Sequence, residues 1–499
     1  MINKNNIIWC SSIENDEDLN KKINKNNKKI KKDLVRLLSV ENQQLNIDFL
    51  NKFFSYFQID KECLCNILST NSFLNKKPRF ILNDNIIMDK ITNINYLLVK
   101  SSIFKKPTDS DLEIKNYLDD GYNKFGINND KFLNGTLINY IINSNINESN
   151  YIKILDTFFC TKDNNYIGLN ITEYFNNCTS LFFDFFLNKN SIGILDIIDV
   201  ILEQVIKFLN KLNKYSYTNN YLILKNIQYN IEKDKYYFKI ANLDHSKILF
   251  NGLQFYEASE NYNKNKIRFY LQEEDNYFVI KYDRPFNLDS KSEINDFFSI
   301  MYDDIDLNTK IAVYNFIKFL RNDPRNIIKN FDIYTLIVSI LIEPALIQIL
   351  FDKDKFSIFK KTKFYKLTQK LFYKKDWDTL LGKIKIMYIK YNKKLDLLNN
   401  EKLEEYLNNN NLIDSLQSYP TIVYLLYGIK IKKNINISNI FGIEKIKEDK
   451  LFKYPYKFSK NKKLCITKCK KSKKKLKSFD DSLKKCKTYP IIKYNDDLC

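Results

Sequence analysis

The chain has 499 residues, long enough for two or three domains, and a 44% apolar fraction that supplies a substantial core. Its formal charge of +21 fits either an anionic partner or lysines filling solvent-facing positions. The single histidine, His245, excludes a multi-histidine zinc site and an HExxH metalloprotease, and confines any Ser–His or Cys–His dyad to one position. A Cys-dependent hydrolase is the weakest class, because no cysteine stands beside His245 in sequence.

Asn, Lys and Ile are over-used, as in AT-rich coding sequences, so Asn/Lys runs need not signal disorder. The N-terminus, MINKNNIIWC, has no long apolar stretch, and the nine cysteines form no dense framework. Both features predict an intracellular, cytoplasmic protein with reduced thiols. Residues 1–78 read as a helical extension, with apolar residues at helical spacing in 47–57 and 63–74.

From about Arg79 the period changes. Short β-rich runs are predicted at 80–88, 95–104, 151–160 and 165–171, the last two joined as a hairpin around Thr161–Asn164. A helix is predicted over 131–142. From Ser180 the pattern is mainly helical, and 192–213 is a long amphipathic helix with Leu195, Ile198, Ile201, Val205, Phe208 and Leu212 on one side. A second hairpin is predicted over 267–282, and helices then run to about residue 430. The apolar stretch 333–351 is interrupted by Glu343 and Pro344, which predicts a buried core helix rather than a membrane span. No transmembrane segment is therefore expected.

The tail from Phe458 to Lys487 holds many lysines and almost no acids, and is a candidate site for nucleic acid or another polyanion. Cys465, Cys469 and Cys486 within it, and Cys499 beyond it, lack the paired CxxC spacing of a zinc site.

Four segments in this order carry a resemblance. Tyr96–Lys100 (YLLVK) resembles the VAIK strand, Asn219–Asn226 (NNYLILKN) resembles HRDLxxxN, and Ile240–Asp244 (IANLD) stands where DFG belongs. Phe331–Leu341 (FDIYTLIVSIL) resembles a core helix of the type DIYSLGVLL. Over roughly residues 80–430 the chain resembles the protein-kinase-like family, most of all the divergent members encoded by large DNA viruses. Gly135 and Asn139 follow a pattern shared with those members. If the chain is viral, its place is the host cytoplasm or the virion.

The resemblance implies an α+β, bilobal protein-kinase-like fold. The implied division is a small β-rich lobe over 79–175 and a helical lobe over 176–440 with an insertion near 250–325. A helical extension precedes them, and a basic tail over 441–499 follows. It implies Lys100 as the phosphate-binding lysine and Thr172, Glu173 and Tyr174 as the hinge that receives adenine. A helix after the hinge is implied near Ser180–Phe182. Tyr221 stands at the catalytic-base position, where a kinase needs a carboxylate and a phenol is a poor base at neutral pH. Asn226 and Asn242 stand at the metal positions, and Asp244 matches the second acid of the viral DFD variant. A shifted register makes Asp244 the metal ligand instead. Asp332 is implied to brace the catalytic loop from a helix N-terminus.

Two parts of the family pattern are absent. The first glycine of the chain is Gly121, so no glycine-rich loop precedes Lys100. No glutamate partner for Lys100 is evident, the nearest acid to the helix being Asp130. The reading is a kinase-like protein without efficient phosphoryl transfer, binding ATP and Mg²⁺ weakly or not at all, that serves a protein partner as a binding or regulatory module. The alternatives are an active divergent Ser/Thr protein kinase using Lys100, Asn226 and Asp244, and a basic nucleic-acid-binding scaffold.

Overall fold

The computed structural model describes residues 80–105, 122–145, 150–177, 193–258, 271–280, 305–322, 330–395 and 418–443, apart from isolated positions within these spans. Short pieces at 58–59, 65, 112–113 and 116–117 are described as well. Most of the predicted extension, the segment near Ser180–Phe182, and the basic tail with its cysteines lie outside the described residues.

The fold is mixed α/β. Strands β1 (Gln58–Ile59), β2 (Phe80–Asn83), β3 (Ile86–Asp89), β4 (Asn95–Lys100) and β5 (Phe104–Lys105) come first. Strand β6 (Tyr122–Asn128) leads into helix α1 (Lys131–Asn145), then β7 (Ile154–Lys162) and β8 (Asn165–Glu173). The main sheet has the order β1-β7-β8-β4-β3-β2, with β5 also on β8. All its pairings are antiparallel except that of β1 with β7. Left-handed Asn93 and Asp163 turn the chain between β3 and β4 and between β7 and β8. Asn and Asp tolerate that conformation better than other residues with a Cβ. The run predicted as one strand over 80–88 is a hairpin, broken by the polar Asn83-Asp84-Asn85.

The sheet is covered on both faces. Phe80, Ile87, Tyr96, Leu98, Phe158, Cys160, Leu169 and Ile171 form one apolar cluster. Against it packs Cys65, which is disulfide-bonded to Cys160. This corrects the expectation of reduced thiols for that pair. The two residues are 95 apart in sequence, so no spacing motif marks them. The opposite face carries α1, whose Thr136 hydroxyl accepts a hydrogen bond from Asn170 Nδ2 at 2.9 Å. Asn139 fixes the helix to the chain entering β7, donating to Ile152 O at 2.8 Å and accepting from Ile154 N–H at 3.0 Å.

Residues 132–142 of α1 are all buried, because a second sheet lies against the helix. There β6 pairs in parallel with β13 (Leu253–Ala258), which forms a hairpin with β12 (Ile248–Phe250). Strand β9 (Asn176–Asn177) pairs with β10 (Ile227–Glu232), and β10 with β11 (Lys235–Ile240). The predicted second hairpin is present as β14 (Leu271–Glu273) and β15 (Tyr277–Ile280), and β15 also pairs with β16 (Lys430–Lys432).

The remaining body is helical: α2 (Gly193–Leu212), α3 (Leu307–Asn322), α4 (Phe331–Leu341), α5 (Pro344–Phe351), α6 (Lys353–Phe359), α7 (Lys363–Leu371), α8 (Lys374–Leu395) and α9 (Tyr419–Leu426). Every residue of α4 is buried. The chain bends by 83° between α4 and α5, at Glu343-Pro344, where proline suits the first turn of a helix. Among the described residues no single helix is long and apolar enough to cross a membrane.

Candidate functional site

The site forms where the loop Tyr217–Asn226 meets the loop Ala241–Lys247. Helix α4 supplies its floor. Asp332, Thr335 and Ser339 occur at i, i+3 and i+7, one polar stripe on an otherwise apolar helix. Each binds the first loop. Asn219 N–H donates to Asp332 Oδ2 at 2.7 Å and Asn220 N–H to Oδ1 at 2.9 Å. Thr335 Oγ1 donates to Leu222 O at 2.8 Å, and Leu224 N–H donates to Ser339 Oγ at 2.9 Å. A buried irregular loop needs such partners, since an unpaired backbone group away from water costs about 1–3 kcal/mol.

Burial raises the Asp332 carboxyl to about 6, while the two N–H donors and the neighbouring Lys247 pull the other way. Lys247 is itself fully buried, and its backbone exchanges two hydrogen bonds with Thr218. Asparagine amides join the two loops. Asn219 Nδ2 reaches Asn242 O at 3.0 Å, and Asn220 Nδ2 reaches His245 O at 3.1 Å, with Asn220 in the left-handed region. Burial also holds the Tyr217 phenol well above its ordinary value, against hydrogen bonds from Ser246 and Asn219.

Helix α1 closes the site from the other side. Asn134 Nδ2 donates to Asp244 O at 2.8 Å and Ser246 O at 3.0 Å. A Cβ on Gly135 would lie against Asp244 Oδ1 and 3.1 Å from Asp244 Cα, so a side chain there requires the Asp244 carboxylate and backbone to shift.

Tyr221, Asn226, Asn242 and Asp244 are thus gathered in one loop pair, which Asp332 braces from α4. The Tyr221 ring packs edge-on against His245 at 5.2 Å and lies tilted against Tyr419 at 5.0 Å. Asn226 Nδ2 donates to Tyr221 O at 2.7 Å, and Asn242 Oδ1 accepts from Asp244 N–H at 2.8 Å. Asp244 is half-buried.

Lys100 and the hinge residues sit elsewhere. Lys100 is exposed at the end of β4 and pairs with Leu169, on the sheet face of Leu98 and Tyr96. The face towards α1 is presented by Leu97 and Val99, the latter opposite Asn170. Helix α1 contains no acid, and Asp130 lies outside the described residues. Thr172 is buried, with its hydroxyl on Leu97 O and Glu173 O. Glu173 is ion-paired with Lys239, and its N–H donates to Lys153 O at 3.1 Å. Tyr174 is half-buried.

These residues do not fit magnesium as a kinase holds it. Of the three metal positions only Asp244 carries charge, while one amide of the other two holds a loop carbonyl and the other a loop N–H. Among the described residues no cluster of three or more His, Cys, Asp or Glu side chains is assembled that could hold a metal. The β2–β3 connection, where the resemblance would put a phosphate-covering loop, is a two-residue turn without glycine.

Sequence reasoning missed Asn134, Gly135, Lys247, Thr335 and Ser339 as parts of the site. The polar stripe on α4 was a readable signal, because hydroxyls at i+3 and i+7 from a carboxylate have no apolar reason to be there.

No protein-family model matches the chain. Among known proteins, the "Putative serine/threonine-protein kinase R679" of Acanthamoeba polyphaga mimivirus is 24% identical over 524 aligned residues, which span 81% of this chain and 71% of that protein. This distant, chain-wide similarity supports a kinase-like relationship with a viral protein.

Proposed function

We propose that the chain is a kinase-like protein that no longer transfers phosphate efficiently and acts as a binding or regulatory module. One observation carries this reading: the loop pair is fully braced while its acids are replaced. Asp332, Thr335 and Ser339 hold the first loop in place. At the base position Tyr221 is packed into an aromatic cluster with His245 and Tyr419. Losing a positioned base costs roughly 10²–10⁴ in rate. At the metal position Asn242 spends its oxygen on the Asp244 N–H.

ATP binding in this reading is weak or absent. Lys100 lies on the sheet face away from α1, and the Glu173 N–H is taken by Lys153 O. A thermal-shift titration with ATP, with and without Mg²⁺, tests the point, because a ligand selective for the folded state raises the melting temperature. The reading expects no Mg²⁺-dependent shift at millimolar ATP. A clear Mg²⁺-dependent shift that disappears in Lys100→Met would favour the active divergent kinase instead.

A further inference from the structure

Helices α6 and α7 and the start of α8 carry a concentration of charge that the site does not use. Between Lys353 and Lys375 there are nine lysines and one acid, Asp354. Along α7, Lys363, Lys366 and Lys370 follow at i, i+3 and i+7, all exposed, while Phe364, Leu367 and Leu371 are buried beneath them. At 1.5 Å per residue these three ammonium groups span roughly 10 Å of helix. Lys374 continues the line at the start of α8.

A solvated helix face ordinarily mixes its signs, as α2 does with Asp196, Asp199 and Glu203 against Lys207 and Lys211. Here Lys363 meets Glu203 at 3.7 Å, a pair in which both side chains are about half exposed. Among the described residues Lys366, Lys370 and Lys374 have no ion-pair partner.

The ridge also ends in rings. Lys432 Nζ donates to Lys370 O at 2.9 Å and lies 4.3 Å from the centre of the Tyr373 ring. Lys430 Nζ lies 4.5 Å from Tyr277, whose ring meets Tyr373 edge-on at 6.2 Å. Tyr373 is nevertheless 39% exposed. The Lys430 N–H donates to Asp376 Oδ1 at 3.4 Å, which places one carboxylate at this end. Seated on these rings, the Lys430 and Lys432 ammonium groups are held beside Tyr373 at this end of the ridge.

We propose that this ridge binds a single-stranded nucleic acid, the lysines following its phosphates and Tyr373 offering a stacking surface for a base. A line of ammonium groups running into an exposed ring has the two components of such a site: an electrostatic track and a π-face. A membrane-surface helix would set apolar side chains beside its lysines for insertion, whereas the outward face of α7 holds Lys363, Lys366, Gln369 and Lys370. The ridge lies on α6, α7 and the start of α8, at sequence positions distinct from the lysine-rich 458–487.

The test uses the full chain, a fluorescein-labelled 20-nucleotide oligo(dU), and anisotropy titrations at several salt concentrations. The Lys363→Gln/Lys366→Gln/Lys370→Gln variant changes only exposed side chains, and an unchanged melting temperature certifies its fold. Its affinity falls, and the slope of log K against log salt becomes shallower by about 2, since each lost phosphate contact removes roughly 0.7 for a single strand. Tyr373→Ala weakens binding by roughly 5- to 160-fold with the slope unchanged, the range for loss of one stacked base. Unchanged affinity and slope in the triple variant would overturn the proposal, as would wild-type affinity in Tyr373→Ala. Lysine-dependent binding to phosphatidylserine vesicles without oligonucleotide binding would overturn it in favour of a membrane surface.

Discussion

Replacing Asp332 by alanine removes the acceptor of two buried backbone N–H groups, those of Asn219 and Asn220 at 2.7 and 2.9 Å. Hydrogen bonds to a charged acceptor are worth about 1.5–3 kcal/mol each, so the loss is about 3–6 kcal/mol. That is a large share of the roughly 5–15 kcal/mol by which domains are stable. Asp332→Asn keeps one acceptor but points an amide N–H at the second donor, and is expected to cost less, about 2–4 kcal/mol. The asparagine variant also isolates the titration. The Asp332 carboxyl is raised by burial from 3.8 to about 6, so the folded state holds its proton more tightly than the unfolded chain. Its contribution is therefore largest at low pH and is lost as pH rises through about 6. Between pH 7 and pH 5 the wild type gains about 1.4 kcal/mol relative to Asp332→Asn, one pKa unit's worth. Urea denaturation of both proteins at the two pH values measures the gap. A gap that stays constant, or an Asp332→Asn variant as stable as wild type at pH 7, would refute this account of the loop.

Gly135→Ala gains about 1 kcal/mol in helix propensity but forces a methyl group against Asp244 at a cost of about 1–3 kcal/mol, so a net loss of about 0–2 kcal/mol is expected. Faster amide exchange over residues 242–247 would accompany the loss, and a variant more stable than wild type would contradict the close approach. Burial raises Glu343 to about 8, so it is protonated at neutral pH. Wild type then loses about 1.4 kcal/mol between pH 7 and pH 9 relative to Glu343→Gln, and parallel denaturation curves at the two pH values would contradict this. The Cys65–Cys160 bridge closes a sequence separation of 95 residues, and chain entropy sets an upper bound of about 4–5 kcal/mol on its contribution. Dithiothreitol should lower the melting temperature of wild type and leave Cys65→Ser unmoved; a wild type indifferent to reductant would count against the bridge.

What the sequence disclosed were local patterns. The hairpin around Thr161–Asn164 and the helix α2 follow from periods of 2 and 3.6 and from turn chemistry within a dozen or so residues. The same holds for α4, whose apolar run can only be buried. What stayed hidden depends on long-range register. The parallel pairing of β6 with β13 joins residues about 130 apart, and no local motif encodes it. The side to which Lys100 points is decided by strand phase, where a one-residue slip exchanges the faces of the sheet. Helix α1 shows little amphipathic pattern because it is enclosed by two sheets. Gly135 was noted as part of a shared pattern, yet its cause, the Asp244 backbone lying against the helix, is visible only in three dimensions.

The central claim is that a braced loop pair carrying Tyr221 and Asn242 no longer moves phosphate. The most direct measurement is transfer of the γ-phosphate of radiolabelled ATP, in Mg²⁺ and in Mn²⁺, to the chain itself and to a mixture of acidic and basic protein acceptors. The wild type should give incorporation no higher than the Asp244→Asn variant and the no-enzyme blank. Robust incorporation by wild type that Asp244→Asn abolishes, with the melting temperature unchanged, would contradict the claim and make Asp244 the metal ligand of a working kinase.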